Sequence, residues 1–290
     1  MSDLVIWSKV GSDLLDGQLQ NEQYGYSVSI SDDGSIVAAG ALLGKDPVAT
    51  GYGTGASGFT SIYQKTSGDN PSTVEIETEY WKQLGQTIYG EGFGNRSGSA
   101  ISLSGDGSTI AIGAQLHGNG AGHVRIFNLI NEDNPSTEEI ETEYWQQLGD
   151  DIKGEYAHDY LANIPGSISL SNDGKTIALG SYGNDDIGDN AGHVRIFNLI
   201  NGDNISTEKI ETEYWQQLGS DIQGEVALDH TGRTLSLSGD SETVAVYSYG
   251  KANTLQNGRV RIFDWDGSDW TQIGSSIDGE VAKDNSTGFG

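Results

Sequence analysis

A phrase that recurs through a chain constrains its architecture more than any other feature, because each copy must build the same supersecondary unit. Trp7, Trp81, Trp145, Trp215 and Trp270 open one such phrase: WSKVGSDLLDG, WKQLGQTIYGE, WQQLGDDIKGE, WQQLGSDIQGE and WTQIGSSIDGE. The intervals, by subtraction, are 74, 64, 70 and 55 residues. A constant phrase at uneven intervals means fixed strands joined by variable loops. Two longer stretches, Gly122–Gly149 and Gly192–Gly219, are each 28 residues long and differ at three positions, the mark of a recent duplication.

Each of the first four phrases is followed by a second: YSVSISDDGSIVAAGA, SAISLSGDGSTIAIGA, GSISLSNDGKTIALGS and RTLSLSGDSETVAVYS. Apolar and polar residues alternate, break at Asp-Gly, then alternate again. Alternation marks half-buried strands, and Asp-Gly between them marks a tight hairpin. Asp240-Ser241 replaces Asp-Gly in the fourth copy, which predicts a looser turn there. A third phrase, SGFTSIYQ, AGHVRIFN, AGHVRIFN or NGRVRIFD, reads as another strand entered through Gly.

Each unit thus supplies four strands, ending in the WQQLG phrase, and no stretch shows a helical period. Four-stranded antiparallel units in series predict an all-β fold, a β-propeller, because one such sheet cannot bury both its faces alone. The chain reads as a single domain, residues 1–290. Its repeat units run roughly over 18–90, 91–154, 155–224 and 225–279, with an extra N-terminal strand at 4–16 and a started fifth repeat at 280–290. Long acidic hairpins such as NEDNPSTEEIETEYW join the third and fourth strands, and acidic outer edges resist edge-to-edge aggregation. Trp270 completes the fourth unit, which leaves Trp7 without an evident sheet in a four-bladed ring. Ring closure and membership of a larger ring stay open on the sequence.

The three phrases resemble the FG-GAP-type repeats of integrin-like β-propellers, in the bacterial form W-x-Q-x-G-x-D-I-x-G-E, S-V-S-L-S-x-D-G-x-T-x-A-I-G-A and G-x-V-R-I-F. The resemblance covers essentially the whole chain from Trp7 onward. It implies a propeller used for adhesion or ligand recognition at a cell surface, outside the cell. Integrin-type repeats often carry an Asp-x-Asp-x-Asp-Gly calcium loop. Here SDDGSIV, SGDGSTI and SNDGKTI are shorter and poorer in carboxylates, whereas calcium takes six to eight oxygens. Asp33, Asp106, Asp173 and Asp240 therefore read as turn formers.

Fifteen Lys and Arg against 42 Asp and Glu give a net charge of −27. This argues against nucleic acid as a partner, since no basic surface displaces counterions from phosphate. It argues equally against adsorption to anionic membranes. No segment reaches the roughly 18 apolar residues of a membrane helix, so membrane insertion is not expected. There are no cysteines, which excludes disulfides and thiolate chemistry. MSDLVIWSKV lacks the basic start and apolar run of a signal peptide.

Candidate sites are acidic. The Gly-Glu of each phrase gives Glu91, Glu155, Glu225 and Glu280, with Gln18 in the first copy. A few residues on come Glu22, Asn95, Asp159, Asp229 and Asp284. These segments lie on one rim, where they either cap loop amides or ring the rim with oxygen ligands for calcium. Asp185, Asp186 and Asp189 in GNDDIGDNAG form a loop unique to the third repeat and are the other calcium candidates, together with Asp159 and Asp229. The tips at Asp69, Asp133 and Asp203 raise the same question. His123 and His193 recur at one repeat position, occupied elsewhere by Phe59 and Arg259, which speaks for architecture. Arg125, Arg195 and Arg261 are expected to pair with Glu of the neighbouring fourth strand. His158-Asp159-Tyr160 and Asp229-His230 have the residue types of acid–base chemistry but no accompanying catalytic motif. Asn95, Asn204 and Asn285 are glycosylation acceptors if the host secretes and modifies the chain.

Three functions follow. The first is a non-enzymatic surface module that recognises a protein or glycan, with calcium as the cation its loops could use. The second is a self-assembling module pairing through unpaired terminal strands. The third, a glycan-active enzyme, needs two carboxylates about 5–9 Å apart at a propeller mouth.

Overall fold

The alternating phrases fold as strands because Val, Ile and aromatic residues suit a pleated, half-buried surface, while Ser-x-Asp segments favour turns. The computed structural model describes residues 14, 22–45, 56–68, 79–131, 143–201, 213–249 and 258–279. The strand expected at 4–16, the tips with Asp69, Asp133 and Asp203, Gln18, Asn204 and the begun repeat at 280–290, with Glu280, Asp284 and Asn285, lie outside these residues.

Blade 1 holds β1 (Tyr24–Ile30), β2 (Ile36–Ala41), β3 (Phe59–Ser67), β4 (Glu79–Gln83) and β5 (Ile88–Tyr89). Blade 2 holds β6 (Ser97–Leu103), β7 (Thr109–Ala114), β8 (His123–Ile130), β9 (Tyr144–Gln147) and β10 (Ile152–Lys153). Blade 3 holds β11 (Ile168–Leu170), β12 (Thr176–Ser181), β13 (His193–Asn201), β14 (Glu213–Gln217) and β15 (Ile222–Gln223). Blade 4 holds β16 (Leu235–Leu237), β17 (Thr243–Ser248), β18 (Arg259–Trp265), β19 (Trp270–Gln272) and β20 (Ile277–Asp278). The first four strands of each sheet follow chain order or its equivalent, and all pairings within the sheets are antiparallel.

The predicted fourth strand is broken in two. In blade 3, β14 pairs with the C-terminal half of β13 and β15 with its start, at Val194 and His193. Gly219, at φ 75°, makes the break. The next blade uses the interruption: Trp270 Nε1 donates to the Leu218 carbonyl at 3.0 Å. Trp215 reaches Leu148 at 3.0 Å and Trp145 reaches Leu84 at 2.9 Å in the same way. The repeated Trp therefore clasps its own blade to the preceding one.

The hairpin turns are alike in all four blades. Asp33 Oδ1 accepts from Ser31 Oγ and from the Ser35 amide, and Asp106, Asp173 and Asp240 repeat the pattern. The looser fourth turn expected from Asp240-Ser241 is not found. Ser241 takes φ 69°, where Gly34 has 70° and Gly107 has 72°. The Ser238–Asp240 bond fixes the turn, and Ser241 absorbs the strain that Gly avoids.

The core lies between blades rather than within them. One cluster joins Ile36, Ile62 and Leu84 of blade 1 to Ile101, Ile110 and Trp145 of blade 2. A second joins Val124 and Ile126 to Leu170, Ile177 and Phe197, and a third joins Val194 and Ile196 to Leu237, Val244 and Trp270. Serine completes each seam. The Leu103 amide donates to Ser29 Oγ, Leu170 to Ser102 Oγ and Leu237 to Ser169 Oγ, at 2.9, 3.0 and 3.0 Å. Serine is the repeated residue here because it accepts from the otherwise unpaired edge of the next inner strand.

At the axis the turns meet in a chain of backbone bonds, Asp32 to Gly105, Gly105 to Asn172 and Asn172 to Gly239. Asn172 Nδ2 also reaches across to Asp32 Oδ2 at 2.8 Å. The sheets are the blades of a β-propeller. The steps repeat across three seams, and among the described residues the fourth differs. Blades 4 and 1 face each other across a cavity of 670 Å³ lined by Tyr26, Val28, Leu235, Ser236, Tyr247 and Val260. Val28 is 70% and Ile30 59% exposed, whereas their counterparts Ile101 and Leu103 are 6% exposed beneath blade 1. Among the described residues no helix is long and apolar enough to cross a membrane.

Candidate functional site

The loop after each Gly-Glu carries the chain from the outside of one blade to the inside of the next. It keeps one backbone shape with different side chains. Gln23, Arg96, Tyr160 and His230 occupy equivalent positions, at φ 54°, 59°, 53° and 49°. Left-handed non-glycine residues cost free energy, and surrounding structure must hold them. Asp159 and Asp229 supply the hold. Asp159 Oδ2 accepts the Glu155 and Tyr156 amides at 3.0 and 2.8 Å, and Asp229 Oδ2 accepts those of Glu225 and Val226 at 2.8 and 3.2 Å. Both aspartates are buried. These bonds correspond to the amide-capping reading of the rim carboxylates.

On blades 3 and 4 this rim is aromatic. His158, Tyr160, Tyr182, His230, Tyr249 and Tyr247 form one row with successive ring centroids 5.4–5.8 Å apart. Tyr160 and Tyr182 stack at 12°. Arg233 lies over the Tyr249 ring at 5.0 Å, and Asn163 Nδ2 donates to the Tyr182 hydroxyl at 2.9 Å. Burial holds the His230 imidazole below its ordinary pKa and pushes the Tyr182 phenol up. Both groups are neutral near pH 7, so His230 and Tyr182 offer rings and a hydroxyl rather than charge. Tyr182 and Tyr249 stand where blades 1 and 2 have Leu42 and Gln115. In the sequence Tyr160 and His230 stand only as fragments of acid–base strings. The row joins residues up to about ninety positions apart, and only the fold brings them together.

A second cluster sits beside the Gly-Glu of blade 2. Glu155, Asp186, His193 and Asp221 each point one ligand atom at the others, all within 4.8 Å. His193 opens β13, Asp186 lies in the loop before it, Glu155 follows β10, and Asp221 precedes β15. Gln217 Nε2 donates to Asp221 Oδ1 at 2.6 Å. Contact with His193 holds the Asp221 carboxyl below its usual range. The equivalent place in blade 2 gathers Glu91, His117 and His123, with Asp151 Oδ2 3.3 Å from His123 Nδ1. The His123 contact lowers the Asp151 carboxyl to about 2.

Of the sequence-predicted cation residues, Glu155 and Asp186 enter this cluster. Asp185 Oδ1 accepts the Asn190 amide at 2.6 Å, and Asp189 is exposed. His193 and Asp221 were not read as ligands. A signal was present, since His123 and His193 coincide with Asp151 and Asp221, whereas Phe59 and Arg259 coincide with Thr87 and Ser276. The expected pairing of Arg125, Arg195 and Arg261 is also corrected. Each reaches the preceding blade, donating to the carbonyls of Tyr89, Lys153 and Gln223 at 2.6, 2.6 and 2.8 Å, and the glutamates that Arg125 and Arg195 meet are Glu91 and Glu155 of that blade's Gly-Glu, at 3.9 and 3.5 Å. The three guanidinium groups are buried in the inter-blade seams, where these carbonyls satisfy them.

No family model matches the chain. No curated protein matches it either. Among solved structures, it is similar to Sqt1 from Chaetomium thermophilum, at 14% identity and TM-score 0.47, over 89% of this chain and 50% of that one. It is similar to the Pseudomonas aeruginosa periplasmic gluconolactonase PpgL, at 14% identity and TM-score 0.45, over 89% and 58%. A third likeness is the β-propeller domain of the Trilobed protease from Pyrococcus furiosus, at 10% identity and TM-score 0.36, over 87% and 57%. The chain thus spans half, or somewhat over half, the length of these structures. The class that its own sheets define is the β-propeller.

Proposed function

We propose that this propeller is a non-enzymatic recognition module of FG-GAP type, displayed outside the cell, and that it grips a protein ligand on the aromatic rim of blades 3 and 4. The observation that supports this reading is the row from His158 to Tyr249, backed by the buried Tyr247, with Arg233 and Asn163 at its flanks. Tyr and Arg are enriched where protein surfaces bind tightly, because large rigid rings contribute area at low entropic cost. Rigid, strained backbone beneath variable side chains fits a surface selected for recognition. The charge of −27 would steer partners with basic surfaces.

Binding of the full chain to arrayed surface proteins and glycans tests this. A protein ligand is expected, with affinity at least tenfold weaker for the Tyr160→Ala, Tyr182→Ala, Tyr249→Ala triple variant. Unchanged binding by that variant, glycan binding alone, or turnover of any arrayed substrate would overturn the proposal.

The exposed Val28 and Ile30 favour a second reading, self-association through the seam between blades 4 and 1. These residues are the counterparts of side chains that lie under a preceding blade in the other seams. Light scattering that gives one concentration-independent monomer mass removes this reading.

A further inference from the structure

We propose that Glu155, Asp186, His193 and Asp221 form a site for one divalent transition-metal ion of zinc type, at the seam between blades 2 and 3. The inference does not rest on the recognition reading above. His193 is fully buried, and its Nδ1 makes no hydrogen bond. That nitrogen points into the carboxylates, 3.4 Å from Asp221 Oδ2, 3.9 Å from Asp186 Oδ2 and 4.0 Å from Glu155 Oε2. All three separations exceed the usual N–H···O range. Four ligands bonded at about 2.1 Å around a tetrahedral ion lie about 3.4 Å apart, so small side-chain rotations close the set.

Neighbouring side chains hold Asp221 and Glu155 from outside. Gln217 occupies the far oxygen of Asp221 at 2.6 Å, and Arg195 Nη1 lies 3.5 Å from the far oxygen of Glu155. The Asp186 amide donates to Asn184 Oδ1 at 3.0 Å. Outer partners of this kind orient metal ligands. Asp186 and Glu155 are partly exposed, which leaves an entry path.

Charge gives an independent argument, because the chain repeats the site four times and balances it differently. In blade 1 the equivalent residues are Phe59, Thr87 and Gln18, all neutral. In blade 4 Arg259 takes the histidine position and supplies the cation itself, pairing with Glu225 and with Asp278, and Ser276 replaces Asp221. In blade 2 Lys153 adds a positive charge beside Asp151. Blade 3 has Gln223 in place of that lysine. Three carboxylates there face one guanidinium, Arg195, beside the His193 ring. Two negative charges are left over, the charge of one divalent ion. The nitrogen ligand selects the metal class, since calcium and magnesium prefer all-oxygen sets while imidazole suits zinc and its neighbours.

The rival account makes His193 a protonated counter-ion with no metal. Calorimetric titration of the chelator-stripped full chain with zinc, and separately with calcium, distinguishes the two. Zinc is expected to bind with an equivalent that calcium does not displace. Asp186→Ala changes an exposed loop residue and is expected to weaken that equivalent at least about tenfold, as is His193→Gln. Zinc held by Glu91, His117 and His123 would survive both variants and is read separately with His123→Gln. Unchanged titrations in Asp186→Ala and His193→Gln, calcium displacing the zinc, or no stoichiometric zinc in the wild type would overturn the site.

Discussion

Trp145 makes the clasp idea quantitative. It is 3% exposed, packs with Ile62, Leu84 and Ile110 in the seam between blades 1 and 2, and donates its indole N–H to the Leu84 carbonyl. Trp145→Ala removes both the ring and the bond, a loss of about 3–5 kcal/mol for a buried aromatic. Trp145→Phe keeps most of the apolar volume and deletes the donor. The bond contributes about 1 kcal/mol, and an orphaned buried carbonyl costs about 1–3 kcal/mol, so about 2 kcal/mol is expected. Trp215 makes the equivalent bond but is only partly buried, so Trp215→Ala should cost less than Trp145→Ala. The assay is urea unfolding followed by circular dichroism and by fluorescence, and the free energies hold where the two transitions coincide. A Trp145→Phe midpoint equal to the wild type's would refute the hydrogen-bond part of the argument. A Trp215→Ala loss exceeding that of Trp145→Ala would refute the burial part.

Other expectations follow from the seams and turns. Ser102→Ala leaves the Leu170 amide without its acceptor and should cost about 1–3 kcal/mol, read as a lower midpoint in the same urea assay. Ser241→Gly relieves a left-handed serine and should raise stability by up to about 1 kcal/mol, seen as a higher thermal midpoint. Hydrogen bonds from Ser35 and Ser31 lower the Asp33 pKa from 3.8 to about 2. A carboxyl depressed on folding stabilises above its unfolded value and loses that contribution as pH falls through its folded value. Asp33→Asn should therefore flatten the acid side of the stability curve between about pH 4 and 2, and an unchanged slope there would count against the turn bonds.

Much of the fold was legible because its signals are local. Alternation, Asp turns and a recurring Trp phrase depend on neighbours within a few residues, so an all-β propeller of four-stranded antiparallel sheets follows from reading alone. Local patterns could not show that the WQQLG strand breaks at its glycine, because the use of that break, a carbonyl presented to the next blade's Trp, lies 52 to 67 residues away. The same holds for Ser29, Ser102 and Ser169. They read as the polar half of an alternation, and only the neighbouring blade makes them acceptors. Arg195 reads as a partner for a glutamate of the neighbouring fourth strand, and packing turns it to the preceding blade, where it meets the Lys153 carbonyl and Glu155.

The sites divide the same way. The sequence by itself marked an acidic rim, named Asp186 and showed histidine recurring at one place. It could not say that His193 faces Asp186, Glu155 and Asp221 at once, nor that Tyr160, Tyr182, His230 and Tyr249 form one row. Strand pairing is written in short-range pattern, which the chain carries openly. Which side chains meet between blades depends on how the sheets stack, and stacking is decided by the burial of whole faces and not by any one residue's neighbours in sequence.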